Sequence, residues 1–348
     1  MIPEKRVLTK RTLPFLLLGL LIFVCYLYFF VGIPELFGVI QRISPFYYSL
    51  AVVLLFLNNL SYALAWQYFL RPLAIKVPLK RTFLFVWIGA LVDILIPAES
   101  ISGDASRAYL MSRESGENTG KVLASIVSHR ILSIVITLSS LILSSLSLFI
   151  LHIAVEAFVL NLIVLIMFGT AISLVFVFLL IFKEQLTRKT IDVLLRFLAY
   201  ISRGRMQLAK LRASAQKILK AFHKSMEVFS KNPRSLLQPV VFSLVSWFLS
   251  VLLSFLVFAS IGYTVNLGVL VIVYSIICSL QTVPIGIVAG VGPIEIIMSS
   301  LYTLLGVPLN VSASATVLTR ILTIWFKLFI GLVAFQWVGI KTLIKSSR

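Results

Sequence analysis

The chain has 348 residues, of which 60% are hydrophobic and 12% are charged, and its mean hydropathy is +1.06. Soluble domains have about 45–50% apolar and about 25% charged residues, so this composition excludes a soluble enzyme or DNA-binding domain and predicts an all-α, polytopic helical membrane protein. The 31 Lys and Arg against 12 Asp and Glu give a net charge of +19, which we attribute to the positive-inside bias and to anionic lipid headgroups, not to a nucleic-acid partner. Cys25 and Cys278 lie in apolar runs, so both are predicted to be packed apolar side chains. The sequence predicts no metal and no cofactor.

Six apolar stretches are long enough to cross a bilayer. The first is too long for a cleaved signal peptide, and we interpret it as a retained span. In chain order they are Thr12–Val31, Phe46–Leu70, Val122–Ile153, Phe158–Phe182, Leu236–Ser260 and Ser312–Ile340.

Two other regions are too short or too broken for a simple crossing. In residues 82–116, the stretch Thr82–Pro97 carries Asp93 and ends at a proline before a loop with glycine and acids. In residues 267–306, the apolar stretch Leu267–Val283 is followed by a glycine-rich loop and by the short piece Pro293–Leu305. Within this second region, neither Leu267–Val283 nor Pro293–Leu305 is long enough to cross a bilayer alone.

The distribution of basic residues decides how these regions are placed. The N-terminus, the segment 183–234 with 13 Lys and Arg against 3 acids, and the tail 341–348 are all basic. All three are cytoplasmic only if residues 82–116 leave the membrane on the face where they enter it. We therefore predict six full spans and two re-entrant hairpins in the cell membrane, with both termini cytoplasmic. Two short crossings in place of the first hairpin give the same orientation.

Hairpins that enter from opposite faces indicate an inverted repeat. Within one transmembrane domain, residues 1–340, we place the first repeat at about 12–153 and the second at about 158–340. Pro97 precedes Arg130 by 33 residues and Pro284 precedes Arg320 by 36, which supports the correspondence. Broken helices at membrane depth are tolerated where they line a cavity, so two such loops meeting near the midplane mark a substrate site.

Between the repeats, residues 183–235 form a cytoplasmic basic segment with an amphipathic pattern. Its apolar residues recur at steps of three and four, with basic residues between them, which favours a helix on an anionic membrane surface. A helix packed on the transport core is the alternative. The apolar positions are Leu208, Leu211, Ala215, Ile218, Phe222, Met226 and Phe229.

Each hairpin is predicted to contain a short helix that starts at its loop. Ser102 or Asp104 is suited to cap the first helix, and Pro293 to open the second. Helix N-termini attract anions, so two of them pointing at one cavity suit a phosphate group.

Charged residues inside a membrane face the protein interior and are candidates for function. Asp104 and Arg107 share one helix face by spacing, and so do Arg320 and Lys327. The alternative is a purely structural ion-pair network that includes Asp93 and Glu99, and for His129 simple packing. The candidate substrate-binding residues are Asp104, Arg107, His129, Arg130, Gly290, Gly292, Glu295, Arg320 and Lys327.

These motifs resemble the lysylphosphatidylglycerol synthase transmembrane (flippase-like) family over roughly residues 12–340. The resemblance is carried by Gly103-Asp104-Ala-Ser-Arg107, His129-Arg130, Pro284-Ile-Gly, Gly290-Val-Gly292-Pro293-Ile-Glu295 and Arg320. Where the family has Gly-Glu and Glu-Arg, this chain has Gly103-Asp104 and His129-Arg130, so one fixed negative charge is replaced by an imidazole. The aminoacyl-transfer domain of the synthases is missing, so lipid aminoacylation is not expected.

The resemblance implies a flippase that moves a charged phospholipid or a polyprenyl-phosphate-linked sugar. Its phosphate would be held by Arg107, Arg130 and Arg320, with Asp104 and Glu295 balancing charge or taking up protons. A lipid-phosphate hydrolase is the second hypothesis because Ser106-Arg107 resembles a hydrolase element, although its paired glutamates are missing. An ion-coupled small-solute permease is the third. Membrane lipids with phosphate or net negative charge are the expected partners, and the sequence predicts no oligomeric state.

Overall fold

The computed structural model describes residues 43–96, 101–150, 157–201, 208–281 and 288–346, with the single positions 28, 38 and 41. The 3-10 turns Pro233–Leu236 and Val288–Gly290 precede two of the helices, and a π-helical turn, Ile321–Phe326, joins the last two helices. The helices are α1 (Pro45–Leu70), α2 (Leu79–Leu95), α3 (Ile101–Ser115), α4 (Thr119–Ile150), α5 (Ala157–Phe182), α6 (Glu184–Ile201), α7 (Leu208–Lys231), α8 (Leu237–Ser260), α9 (Leu267–Leu280), α10 (Pro293–Leu304), α11 (Leu309–Arg320) and α12 (Lys327–Ser346).

Within these ranges, five helical stretches are long and apolar enough to cross a membrane. They coincide with five of the six predicted spans, and the polytopic helical class is confirmed. The predicted first span, Thr12–Val31, lies outside the described residues, so the total of six stays a prediction. The five stretches are Pro45–Leu70, Thr119–Leu146, Leu160–Ile181, Pro233–Ser260 and Leu309–Gly339.

The first predicted hairpin consists of α2 and α3, which pack against each other in opposite directions. A Cβ added at Gly103 of α3 would lie 2.6 Å from the Gly89 carbonyl oxygen of α2, and Gly89 in turn faces the side chain of Arg107 one turn further along α3. With 17 and 15 residues, these helices are about 25 Å and 22 Å long at 1.5 Å per residue, which is shorter than the bilayer core of about 30 Å.

The long helices α1 and α8 contact each other along their length and run antiparallel. The Ser44 amide at the start of α1 donates to the Ser260 carbonyl at the end of α8 at 2.7 Å, and Asn58 at the middle of α1 donates to the Ser246 carbonyl at 2.6 Å. The two helices hold corresponding positions in the predicted repeats. Helices related by an inverted repeat run in opposite directions, so the antiparallel contact is the one that this prediction requires.

The two hairpins are packed in a reciprocal way. The helix α2 of the first hairpin packs on α12, and the helix α9 of the second hairpin packs on α4. The α2–α12 contact is close at Gly331, where an added Cβ would lie 2.7 Å from Cβ of Leu91 and 2.9 Å from the Trp87 carbonyl oxygen. Each hairpin is therefore braced by the last span of the other predicted repeat. The repeat boundaries themselves stay predictions.

The basic helix α7 packs on α4. A Cβ added at Gly120 of α4 would lie 2.0 Å from the Ile218 carbonyl oxygen, so the two backbones are in direct contact. Phe229 is buried and its ring lies 5.6 Å from that of Phe69 at the end of α1, in a T-shaped arrangement. Over this part of α7 the contacts are those of the alternative placement on the core, and the placement of the segment on a membrane surface stays a prediction. The exposed face carries Lys217, Lys220 and Lys224.

The α4–α7 contact gives a stability test. The change Gly120→Ala forces a methyl group into the Ile218 backbone, so we expect the free energy of unfolding to fall by about 1–3 kcal/mol, the range for overpacked sites. Thermal unfolding in detergent measures this. Gly169→Ala in α5 is the matched control, because a Cβ there meets nothing within 4 Å. Equal unfolding temperatures for the two variants would contradict the contact.

Candidate functional site

The tips of the two hairpins meet inside the helix bundle. Ile94 near the end of α2, Val291 in the loop before α10 and Ile324 in the π-helical turn form a buried apolar cluster, which we call the tip cluster. Ala289 and Leu328 pack against it. The sequence predicts the two hairpins but leaves open whether they meet, and among the described residues the end of α2 contacts the loop before α10. Charged groups from both hairpins lie around this contact.

The first charged group is centred on Asp104 in the first turn of α3. Its carboxylate bridges two arginines: Arg107, one turn later on the same helix, and Arg130 on α4. Arg130 donates from Nε at 2.8 Å to one carboxylate oxygen, and its Nη2 lies 2.6 Å from the same oxygen. The predicted shared face of Asp104 and Arg107 is confirmed. The arginines differ in accessibility, since the side chain of Arg107 is 8% exposed and that of Arg130 is 32% exposed.

Aromatic side chains enclose Arg107. Its Nη1 donates to the Tyr62 hydroxyl at 3.1 Å, and its guanidinium carbon lies 5.3 Å from the ring centres of both Tyr62 and Trp66. His129 is buried, and its ring centre is 4.3 Å from that of Tyr62. Neither nitrogen of His129 has a hydrogen-bond partner among the residues that the structure describes, so this histidine packs as an aromatic side chain. Tyr62 is a contact that sequence reasoning missed, because nothing in the pattern of α1 singles it out.

Asp93 of α2 stabilises the start of α3. One of its carboxylate oxygens accepts hydrogen bonds from the Gly103 amide at 2.6 Å and from the Ser102 hydroxyl at 2.9 Å. The predicted caps are therefore wrong: Ser102 binds Asp93, and Asp104 binds the arginines. From the sequence, Asp93 is predicted only as a member of a structural ion-pair network. Its position in an otherwise apolar stretch is the signal that could have identified it.

The second charged group is built at the start of α10. Gly292 precedes the helix with φ of 98°, Pro293 is its first residue as predicted, and one oxygen of Glu295 accepts the Gly292 amide at 2.6 Å. The other oxygen of Glu295 accepts a hydrogen bond from Nε of Arg320, whose Nη2 donates to the Ala289 carbonyl at 2.6 Å. The side chains are only 3% and 9% exposed. Arg320 thus fixes both the carboxylate and the loop.

The predicted site glycines shape this loop. Gly290 has φ of 60° and Gly292 has φ of 98°, both in the region that favours glycine, and both residues are buried. Ala289 also has a positive φ, 52°, and it is held there while Arg320 binds its carbonyl oxygen. The two glycines therefore serve to turn the chain tightly at the hairpin tip.

The two groups share one plan. In each hairpin, an acid in the first turn of the short helix pairs with an arginine of the following span: Asp104 with Arg130, and Glu295 with Arg320. In addition, an amide at the start of each short helix donates a hydrogen bond to a carboxylate. Gly103 donates to Asp93 in the first hairpin, and Gly292 donates to Glu295 in the second. The helix ends predicted as open phosphate sites are therefore occupied by the protein's own carboxylates, and an anion has to compete with them.

Lys327 lies between the two charged groups. It follows Arg320 after the π-helical turn, and it is half-buried. Its electrostatic neighbours are Cys278 of α9, Arg320 and Asp93 of α2, so it faces elements of both hairpins. π-helical turns are rare and frequently occur at functional sites. All nine predicted site residues thus lie in or between the two hairpin groups.

This architecture defines a polytopic helical membrane protein with an acid–arginine group at each of two hairpins. The model of the lysylphosphatidylglycerol synthase TM region family matches residues 16–331, and the chain belongs to that family. The resemblance seen in the motifs is confirmed.

Three archaeal relatives, each called a UPF0104 membrane protein, are also similar to the chain. The protein of Methanothermobacter thermautotrophicus is 22% identical over 318 residues, which is 89% of this chain and 90% of the relative. That of Pyrococcus horikoshii is 24% identical over 69% of this chain and 71% of the relative, and that of Methanocaldococcus jannaschii is 26% identical over 38% of each.

Proposed function

We propose that the protein is a lipid flippase, which moves a lipid with a phosphate-bearing headgroup between the leaflets of the cell membrane. The observation that carries this proposal is the contact between the two hairpin tips, with an acid–arginine pair on each side of it. Charged phospholipids and polyprenyl-phosphate-linked sugars are the substrate classes. Both termini are cytoplasmic in this proposal. Family membership supports a role connected with membrane lipids.

The headgroup first binds Arg130. Arg130 is more exposed than its neighbour Arg107, and its partner Asp104 is shared between the two. A phosphate oxygen accepts the same charge-assisted hydrogen bonds as a carboxylate oxygen. The phosphate can therefore replace Asp104 on Arg130 while Asp104 remains paired with Arg107.

Exchange of partners explains why the acids and bases are interleaved. A charge at the bilayer centre costs at least about 2.5–3.5 kcal/mol, so a path with bare arginines would be unfavourable. When the headgroup exchanges with a carboxylate, each arginine keeps an anionic partner throughout. Lys327 lies between the two groups and provides the next cation along the path. The acyl or isoprenoid chain stays in the bilayer.

Alternating access follows from the reciprocal packing. Because each hairpin is braced by the last span of the other repeat, a rocking motion of one repeat against the other carries the tips apart. In this proposal, the buried tip cluster of Ile94, Val291 and Ile324 closes the space between the charged groups. Opening this cluster exposes the path to one face at a time.

The test is lipid movement in liposomes. We expect Arg130→Ala to slow the transfer of fluorescent phospholipids or polyprenyl-phosphate lipids between leaflets by about tenfold or more, since it removes a charge-assisted bond worth roughly 1.5–3 kcal/mol. Arg188→Ala is the matched control. Arg188 forms a comparable pair with Glu184 on α6, but its side chain is 54% exposed and lies outside the predicted spans.

Free phosphate is followed in the same samples. Lipid movement that is lost in the Arg130 variant, kept in the control and never accompanied by phosphate release supports the flippase. Phosphate release without lipid movement would overturn it in favour of the hydrolase. Equal lipid movement in both variants would remove Arg130 from the proposed path.

A further inference from the structure

A cavity of about 580 Å³ lies where α1 ends and α2 begins. Its walls come from the segment between Gln67 and Pro78, and two cationic side chains, Arg71 and Lys76, are exposed beside it. Among the described residues, none from either hairpin tip lines it. It is therefore separate from the proposed translocation path, and we call it the α1–α2 pocket.

The pocket is shaped by the chain reversal that ends α1. The Ile75 amide donates to the Leu70 carbonyl at 3.1 Å and the Ala74 amide to the Arg71 carbonyl at 2.9 Å, the bonding pattern of a Schellman cap. Ala74 takes the left-handed conformation of this cap, with φ of 54°. The Gln67 side chain donates to the Val77 carbonyl at 2.7 Å across the turn. These bonds hold the walls in place without a ligand, which favours binding because little ordering is required.

The electrostatics of the pocket favour an anion. Arg71 and Lys76 are both lining residues, and no acidic side chain lines the cavity among the residues described. Pro78 forms part of the wall and also precedes α2, whose first turn has no side-chain cap, so the positive end of that helix adds to the potential. Glu114, on the neighbouring α3, is paired with Arg81 at 3.3 Å.

Aromatic residues place the pocket at headgroup depth. The Arg71 guanidinium lies 4.2 Å from the ring centre of Tyr68, and the Lys80 ammonium lies 4.8 Å from the ring centre of Trp337 on α12. Tyr and Trp beside Lys and Arg at the ends of spans are typical of the membrane–water interface. The contact between α7 and the end of α1 puts the pocket on the side of the basic segment 183–235, which the charge distribution places in the cytoplasm.

We propose that the α1–α2 pocket binds the phosphate of an anionic phospholipid headgroup from the cytoplasmic leaflet. Arg71 and Lys76 contact the phosphate oxygens, and the acyl chains extend into the bilayer beside α1. This site binds lipid independently of the two hairpin groups, so it holds a headgroup whether or not the lipid is translocated.

The test uses Lys76 as a local reporter. Purified protein in a neutral detergent is acetylated with an amine-reactive reagent while short-chain phosphatidylglycerol is titrated in, and mass spectrometry reads each lysine. We expect the lipid to slow acetylation of Lys76 about tenfold, as a charge-assisted contact of this kind should, with Lys217 on the exposed face of α7 unchanged. Short-chain phosphatidylcholine, at the same concentration, should give no protection.

Two variants decide whether the pocket is responsible. Arg71→Ala should abolish the protection of Lys76, whereas Lys224→Ala removes one positive charge from the same side of the protein and should keep it. Size-exclusion profiles check that both variants are folded. Protection by phosphatidylcholine, or protection retained in the Arg71 variant, would overturn the proposal. Equal protection by inorganic phosphate alone would overturn the lipid assignment and indicate a site for free anions.

Discussion

Replacing Glu295 with alanine is expected to abolish lipid movement and to lower the free energy of unfolding by about 3–5 kcal/mol. The change leaves the Arg320 side chain, which is only 9% exposed, without its carboxylate, and it removes the acceptor for the Gly292 amide. The loop before α10 then loses two of the contacts that fix it. Thermal unfolding in detergent and the liposome assay measure the two effects.

A paired variant separates stability from transport. Replacing both partners, Glu295→Met with Arg320→Met, removes the buried charge completely, and such exchanges are frequently neutral or stabilising. We expect the double variant to recover most of the unfolding temperature but not lipid movement. Recovery of transport together with stability would show that this ion pair only stabilises the fold.

The second large effect is expected for Gly103→Ala. The added methyl group would lie 2.2 Å from a carboxylate oxygen of Asp93 and 2.6 Å from the Gly89 carbonyl oxygen, where α2 and α3 are in direct contact. Overpacking of this kind lowers the free energy of unfolding by about 1–3 kcal/mol, and here it also displaces Asp93 from the Gly103 amide. We expect slower lipid movement and a lower unfolding temperature.

The control for this variant is Gly339→Ala in α12. A Cβ at Gly339 meets nothing within 4 Å, so the same chemical change should leave both measurements at the wild-type values. A Gly103 variant that unfolds and transports like the wild type would show that α2 and α3 can separate without loss of function.

The long helices could be predicted from the sequence because the bilayer sets a simple requirement. A stretch of about 20 apolar residues has no other stable environment, and five of the predicted spans coincide with long helices of the described chain. Acid–arginine pairing inside the hairpins was foreseeable for a related reason. An ionised side chain in this environment requires a partner, and Asp104 and Arg107 were three residues apart in the sequence.

Contacts between distant segments could not be predicted in the same way. The apolar face of α7 predicts that this face is covered, but the spacing of apolar residues cannot distinguish a lipid surface from α4. In the sequence of α4, Gly120 is the residue that allows the close contact with α7. The cap of α3 is a second example, because the carboxylate comes from Asp93 on another helix and not from the helix's own first turn. Local sequence rules assign caps to neighbouring residues, so the occupied helix ends were missed.

The reciprocal packing of the hairpins also determines the order in which the protein can mature during synthesis. The helix α2 emerges early from the ribosome, yet the surface that braces it, around Gly331 of α12, is made near the end of the chain. Until then α2 lacks this brace, although its polar neighbour α3 already has the partners of Asp104, Arg107 and Arg130, on earlier elements. The first hairpin therefore reaches its final packing only after the last helix has been inserted, and a ribosome that stops before α12 releases a chain whose two halves are both incomplete.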